Sequence, residues 1–449
     1  MSRRRRSALA VLAAIGTFFA GARVAGAVPS QPNDPAFGLQ WNLAATGAPS
    51  AWARTTGQGT TIAIVDSGID LHHEDLSGKI VGHVSCVNSG GDPSKCDSSG
   101  GDDDDGHGTH VAGIAAAETD NGRGVAGMAP DAQLLDVKVL SESCSVAQTD
   151  CTASGNADDV AAGIVYAADH GATAINLSLG NEVQSVFGPS FSQAIDYAWS
   201  KGAIPVVAAG NDFVLPSGFS NEPAIVVGAL NRNGGKASYA NNIGSAKWAL
   251  MAPGGESDSG DSCSKDPQGV LSTYWLSNNA VNAYACLAGT SMAAPHVSGA
   301  VALLRSLGLS PQQTVDQLLH TAKPLGASDV YGAGALDVAA AVSSAPAPAG
   351  DQSTTNAVTP LSNPPATAPP QAEAGASGTP ATQAPPPTFE LPPPVNVPSG
   401  DATGGATVHT TNVGDGVPKG PAIVAGLMAS SVAAAATWVF FRRPFTRPQ

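Results

Sequence analysis

Between residues 32 and 344 the apolar positions fall in short, dense runs, and two kinds of run alternate. Thr61–Val65, Leu134–Leu140, Ala174–Leu179, Ile204–Ala209 and Ala224–Leu230 are nearly continuous and mostly short. Such runs predict strands covered on both faces. Gly108–Ala117, Ala157–His170, Phe191–Lys201 and Ser291–Leu307 read as helices, clearest in Ala157–His170 with its apolar residues at helical spacing. Gly171 and Gly202 stand where helix C-caps belong. Strands alternating with helices predict an α/β fold, a parallel sheet with helices on both faces. In such sheets chemistry gathers at the carboxyl ends of the strands.

Two further apolar runs lie at the ends of the chain. Arg3–Arg6, an apolar stretch from Ala8 to about Ala20, and Ala25-Gly26-Ala27 predict a secretory signal peptide over residues 1–27. Ala422–Phe441 is 20 residues long and uncharged, with Trp438 near one end and Arg442-Arg443 beyond it. This predicts a transmembrane helix over residues 421–441 and a basic cytoplasmic tail over 442–449. No LPxTG precedes it, which disfavours a wall anchor. Residues 345–420 hold 16 of the 34 prolines and little that could form a core. They read as a Pro-rich disordered spacer, which leaves 28–344 as one folded domain held outside the cell membrane.

Charge sharpens this division. The net charge is −15, from 21 Lys+Arg and 36 Asp+Glu, yet residues 1–27 and 442–449 are purely basic. Everything between is strongly acidic, which argues against nucleic acid as a partner. The six cysteines, an even number in an exported chain, predict disulfides. Fifteen pairings are open; the local pairs Cys86–Cys96, Cys144–Cys151 and Cys263–Cys286 each bracket a polar, loop-like stretch.

Three segments put chemistry-bearing residues at strand or helix ends. Val65-Asp66-Ser67-Gly68 follows a buried strand, Gly106-His107-Gly108-Thr109-His110 opens a helix, and Gly289-Thr290-Ser291-Met292-Ala293-Ala294-Pro295 opens another. Serine attacks a carbonyl only if a base removes its proton, and a carboxylate fixes the useful tautomer of a histidine base. A helix N-terminus supplies N–H groups and a positive field where an oxyanion develops. Taken singly, each residue is as readily a cap or a structural group; together they form a nucleophile, a base and an orienting acid.

These motifs resemble those of the subtilisin-like serine proteases, the subtilase family, over about residues 32–344. The resemblance implies a subtilisin-like parallel sheet and peptide-bond hydrolysis, with Asp66 orienting, His107 as base and acid, and Ser291 as nucleophile. The chain order Asp, His, Ser agrees with it. Val207-Ala208-Ala209-Gly210-Asn211 resembles the oxyanion segment, which makes Asn211 a side-chain donor. Ser178-Leu179-Gly180 resembles the edge that pairs with an extended protein or peptide substrate. Gly155 is the looser candidate for the opposite edge.

Two readings of Asp102–Asp105 stay open: a solvated loop, or a subsite in which Asp105, with Asp212 at a pocket rim, favours Lys or Arg near the cleavage point. The resemblance also implies structural Ca²⁺. Its ligands would be Asp34, Asp75, the Asn121 side chain and the carbonyls of Thr119, Arg123 and Val125, although Asp, Asn and Gly in turns need no metal. No cofactor is implied for catalysis.

One departure stands out: no folding pro-domain fits between Ala27 and Pro32. The whole layout resembles the mycosins, subtilases tied to type VII secretion. It leaves open a structural role in secretion machinery, or general nutrient proteolysis, beside a dedicated tethered endopeptidase.

Overall fold

A computed structural model describes residues 31–144, 151–180, 183–184, 189–211, 219–256, 263, 267–276 and 282–346. The signal peptide, the Pro-rich spacer, the apolar run at 421–441, the basic tail and Asp212 lie outside the described residues. Among the described residues no helix is long and apolar enough to cross a membrane.

The strands in chain order are β1 (Thr61–Asp66), β2 (Ile80–Ser85), β3 (Gln133–Lys138), β4 (Ser141–Cys144), β5 (Cys151–Asn156), β6 (Ala174–Leu177), β7 (Val183–Gln184), β8 (Ile204–Ala208), β9 (Ile225–Leu230), β10 (Trp248–Pro253), β11 (Val270–Tyr274) and β12 (Ala283–Leu287). The helices are α1 (Trp41–Thr46), α2 (Ala48–Ala51), α3 (His107–Ala116), α4 (Ala157–Asp169), α5 (Pro189–Ser200), α6 (Thr290–Ser306), α7 (Pro311–Thr321), α8 (Ser328–Tyr331) and α9 (Val338–Ser344). Seven strands form one sheet in the order β10-β9-β8-β6-β1-β3-β2, every neighbouring pair parallel. The expected α/β class and parallel sheet are therefore present.

The sheet divides the core in two. On β1, Ile62 and Ile64 join the layer with α3 and α6, while Ala63 and Val65 join the layer with α4 and α5. Both faces are covered, which is why these strands read as continuous apolar runs rather than alternating ones. Strand β1 lies inside the sheet, with β3 on one side and β6 on the other, so the carboxyl end of β1 opens at the point where the chain turns from one half of the sheet to the other.

Outside the main sheet, β11 and β12 form an antiparallel pair, and β5 lies between β4 and β7. Disulfides join Cys86 to Cys96 and Cys263 to Cys286, as the local pairing predicts. The side chains of Cys144 and Cys151 lie outside the described residues; the backbone register sets the two opposite each other across β4 and β5.

Candidate active site

Asp66 is the last residue of β1 and is fully buried. His107 is the first residue of α3. Its Nδ1 lies 2.8 Å from Asp66 Oδ1, which also accepts the Ser67 N–H at 2.8 Å. Because Oδ1 of an ionised carboxylate only accepts, Nδ1 is the protonated ring nitrogen, and the lone pair is left on Nε2.

The start of α3 shows why His107 is held so firmly. The first N–H groups of a helix have no partner within it, and the cap residue here is Gly106, which has no side chain to offer. The neighbouring loop supplies the acceptors instead. The His107 N–H donates to Asp105 Oδ1 at 3.1 Å, the Gly108 N–H to Ser67 Oγ at 3.0 Å, and the Thr109 N–H to Asp103 Oδ2 at 3.0 Å. Asp103 also accepts from Ser67 Oγ, from the N–H groups of Asp105 and Gly106, and from Thr109 Oγ1. Gly108 is required by space: a Cβ there would stand 2.1 Å from the Gly68 carbonyl oxygen.

The acidic run is thus built into the fold. Asp104 takes Lys138 Nζ at 2.7 Å and Ser141 Oγ at 3.1 Å, and Asp102 accepts the Leu71 N–H at 3.3 Å. Asp105 still reaches solvent in part, yet the protein around it, and next the charge of Asp103, push its carboxyl up to about 7. Behind the loop Asp136 is fully buried, and burial followed by the Asp103 charge pushes its carboxyl well above the usual range.

Ser291 is the second residue of α6. Its Oγ lies 3.4 Å from the carbonyl oxygen of Ser178, just past β6, the strand beside β1. The start of α6 is capped from the segment that follows β8: Asn211 Oδ1 accepts both the Thr290 N–H at 3.0 Å and Thr290 Oγ1 at 2.9 Å. That fixes the amide with Nδ2 on the other side. The Met292 N–H is taken by the Gly289 carbonyl. A methyl group placed on Gly289 would stand 3.5 Å from Asn211 Nδ2 and 3.6 Å from Ser291 N. The two nitrogens, with Met292 Sδ also at 3.6 Å, therefore border one small space beside Gly289.

Among the other expected residues, Ser178 and Leu179 are buried and Gly180 is partly exposed, all just beyond β6. Gly155 is in β5, in register with Val183 of β7, and a Cβ on it would stand 2.5 Å from the Val139 carbonyl oxygen. Sequence reasoning missed Asp103 as the group that caps α3; its place shortly before a helix whose cap position is Gly106 was the available signal. It also missed His110, whose Nε2 lies 3.1 Å from the Val270 carbonyl oxygen and 3.0 Å from that of Ala285, tying α3 to the β11–β12 pair.

The expected calcium residues fall in one region. Asp75 Oδ1 accepts Asn121 Nδ2 at 2.9 Å, and Oδ2 accepts the Val125 N–H at 2.9 Å and Tyr284 OH at 3.0 Å. Asp34 accepts the N–H groups of Asp120 and Asn121 at 2.8 and 3.3 Å. Burial first, and among charges Asp75, push the Asp34 carboxyl up to about 6; burial likewise raises Asp75. These crowded carboxylates and an amide oxygen suit a hard cation. Among the described residues no three His, Cys, Asp or Glu side chains converge as a metal group. An ion here would therefore depend on the carbonyls of Thr119, Arg123 and Val125, and the Asn121 amide would have to present its oxygen rather than its nitrogen.

The subtilase family model matches residues 57–334. Thermitase of Thermoactinomyces vulgaris is 39% identical over 305 residues, covering 67% of this chain and 94% of that protein. Subtilisin Savinase of Lederbergia lenta is 36% identical over 310 residues, covering 68% of this chain and 98% of its own. A solved protease structure from Pseudoalteromonas arctica PAMC 21717 aligns with a TM-score of 0.58 at 31% identity, over 70% of this chain and 99% of that one. With the Asp66–His107 pair at the end of β1 and Ser291 at the head of α6, the chain is a subtilisin-like serine endopeptidase and belongs to the subtilase family.

Proposed function

We propose that Asp66, His107 and Ser291 are the catalytic triad and that Asn211 is the side-chain oxyanion donor. The 2.8 Å Asp66–His107 contact carries this reading, because it leaves the His107 Nε2 lone pair as the base. Ser291 Oγ attacks the peptide carbonyl carbon while its proton passes to His107 Nε2. Asp66 stabilises the resulting imidazolium. The oxyanion is met in the space beside Gly289 by Asn211 Nδ2–H and Ser291 N–H. The leaving amine takes the proton from His107, and water repeats the sequence to release the acid and restore Ser291.

The substrate lies extended along Ser178–Gly180, its backbone adding to that edge. Asp105 and Asp212 lend a preference for Lys or Arg near the cleaved bond. Asp75, Asp34 and Asn121, with the carbonyls of Thr119, Arg123 and Val125, would hold a Ca²⁺ ion, whose charge would offset the crowded carboxylates. The domain is exported through residues 1–27 and tethered outside the cell membrane by 421–441.

A fluorophosphonate probe applied to intact cells tests activity and topology together. Labelling of the wild type that vanishes in Ser291→Ala is expected. No labelling of purified, folded wild type would refute the triad; labelling only after lysis would refute the topology.

A further inference from the structure

The helix that carries Ser291 contains a proline, Pro295, four residues later. In an α-helix the N–H of residue i+4 donates to the carbonyl of residue i, and proline has none. The Ser291 carbonyl is therefore denied its helical partner by the sequence itself. It has another: Ser178 Oγ donates to it at 2.7 Å. Ser178 is 2% exposed, so water is not a ready substitute.

The direction of that bond is set from behind. Asn176 Nδ2 donates to Ser178 Oγ at 2.9 Å, and Ser298 Oγ lies 2.9 Å from Asn176 Oδ1. The Ala294 carbonyl is farther from Ser298 Oγ, at 3.3 Å. Asn176 is a fully buried polar residue in β6, paired in register with Ile64 and Val206. A hydroxyl has one proton. With Asn176 donating to it, Ser178 must spend that proton on Ser291. With Ser298 donating to Asn176 Oδ1, the amide is held in the orientation that makes Asn176 the donor. Each donor thus points one way, from Ser298 to Asn176 to Ser178 to the Ser291 carbonyl, and aligned chains of this kind strengthen one another.

We propose that Ser298 and Asn176 are positioning residues for the nucleophile: through Ser178 they hold the Ser291 carbonyl that Pro295 leaves open, and so fix the first turn of α6 at the height where Ser291 attacks. This rests on Ser291 being the nucleophile. Without Ser298 the amide is free to turn over, and Asn176 Oδ1 then competes with Ser291 for the Ser178 proton.

The test is Ser298→Ala, Ser178→Ala and the double variant, with kcat expressed per site titrated by a fluorophosphonate, KM from a peptide substrate, and Tm measured alongside. Alanine is the best helix former, so Ser298→Ala keeps α6. We expect kcat per titrated site to fall on the order of tenfold in Ser298→Ala, the scale of one hydrogen bond's worth of positioning. KM should stay within about twofold, as expected for an interaction that acts in the transition state. The double variant should be no slower than Ser178→Ala alone, because both act on one chain. A lowered Tm with unchanged kcat per site would reduce the chain to a structural role and overturn the proposal. A loss confined to KM, or multiplicative losses in the double variant, would overturn it too. Failure of the wild type to be titrated would instead refute the triad.

Discussion

Replacing Asp103 by Asn should remove about 3 kcal/mol of folding stability and displace His107, although Asp103 touches no reacting atom. Asp103 accepts five hydrogen bonds with its two oxygens. Oδ1 takes Ser67 Oγ at 2.9 Å and the N–H groups of Asp105 and Gly106 at 3.0 Å each; Oδ2 takes the Thr109 N–H at 3.0 Å and Thr109 Oγ1 at 2.5 Å. Asparagine has one acceptor oxygen. Placed at the Oδ1 position, it leaves an NH₂ facing the Thr109 N–H, and the opposite orientation sets donors against two N–H groups. Thr109 Oγ1 can turn to accept, but the backbone N–H cannot. A buried donor without a partner costs roughly 1–3 kcal/mol, and a lost charge-assisted bond roughly 1.5–3. The lost negative charge at the helix N-terminus adds roughly 0.5 kcal/mol. Thus about 3 kcal/mol is the lower, relaxed sum, against a total stability of roughly 5–15 kcal/mol for a domain. Ala at 103 should cost more, about 5 kcal/mol, because all five donors lose their acceptor. Stability is best read by urea unfolding in a Ser291→Ala background, which removes self-digestion; kcat per titrated site is read in the active chain. An Asp103→Asn loss below about 1 kcal/mol would refute the claim that this carboxylate organises the start of α3.

Asn211→Ala should lower kcat on the order of 10²–10³-fold with little change in KM, and steady-state kinetics on a peptide amide checks it; a change confined to KM would count against the oxyanion role. Asp105→Asn should alter stability only on the alkaline side. Its folded carboxyl is raised from 3.8 to about 7, so its contribution is whole below about pH 4 and is lost as pH rises through 7. The variant should match wild type near pH 4 and exceed it above pH 7 by on the order of 1 kcal/mol, discounted for its contact with solvent; pH-dependent unfolding in Ser291→Ala decides. The same variant should lose any preference for Lys over Ala beside the cleaved bond, and an unchanged ratio would remove Asp105 from the subsite. Chelation should lower Tm and added Ca²⁺ restore it, because Asp34 and Asp75 lose their counter-charge; a Tm indifferent to both would leave these carboxylates as turn residues only. Acid should weaken the fold through His296, which burial depresses to about 4: stability present above about pH 6.5 declines as pH falls through 4, and His296→Gln should flatten that limb of a pH–Tm profile.

The strands that were legible are the five inside the main sheet; burial alone does not decide it, since β10 at the edge is buried along its whole length. Strands β1, β3, β6, β8 and β9 lie in the interior of the sheet, and each was a dense apolar run with ends correct to one or two residues. The two outer strands, β2 and β10, were not foreseen. Strand β2 is only partly covered, and Ile80–Ser85 is broken by Gly82 and His83, so its run is short and mixed. The β11–β12 pair was missed because its residues make their contacts with α3 across a long stretch of chain; Thr273 Oγ1 donates to the Thr109 carbonyl, 164 positions away. Local periodicity carries no trace of such a partner.

The candidate site divides on the same ground. Asp66, His107 and Ser291 stand out as candidates because reactive residue types recur beside Gly at strand and helix ends; Asn211 is a candidate only through the resemblance of its segment to the oxyanion segment of the family, and its amide oxygen is engaged with Thr290. What holds those residues was not readable. Four consecutive aspartates look alike in a sequence, and charge alone suggests solvent or substrate. In the structure each takes a different set of donors, and the run serves first to cap α3 where Gly106 cannot. Pro295 was visible as a proline inside a helix. Its consequence was not, since the carbonyl that it opens belongs to Ser291, the proposed nucleophile, and the hydroxyl that closes it comes from Ser178, 113 positions away. Gly106 and Pro295 are thus two breaks in ordinary helix chemistry at the two ends of the reacting assembly, each repaired by a side chain from another element. A helix that satisfied its own groups could slide or fray without disturbing its neighbours. One that depends on Ser67, Asp103 or Ser178 for them is tied to the strand ends that carry Asp66 and Ser178, and this dependence holds the starts of α3 and α6 to one edge of the sheet.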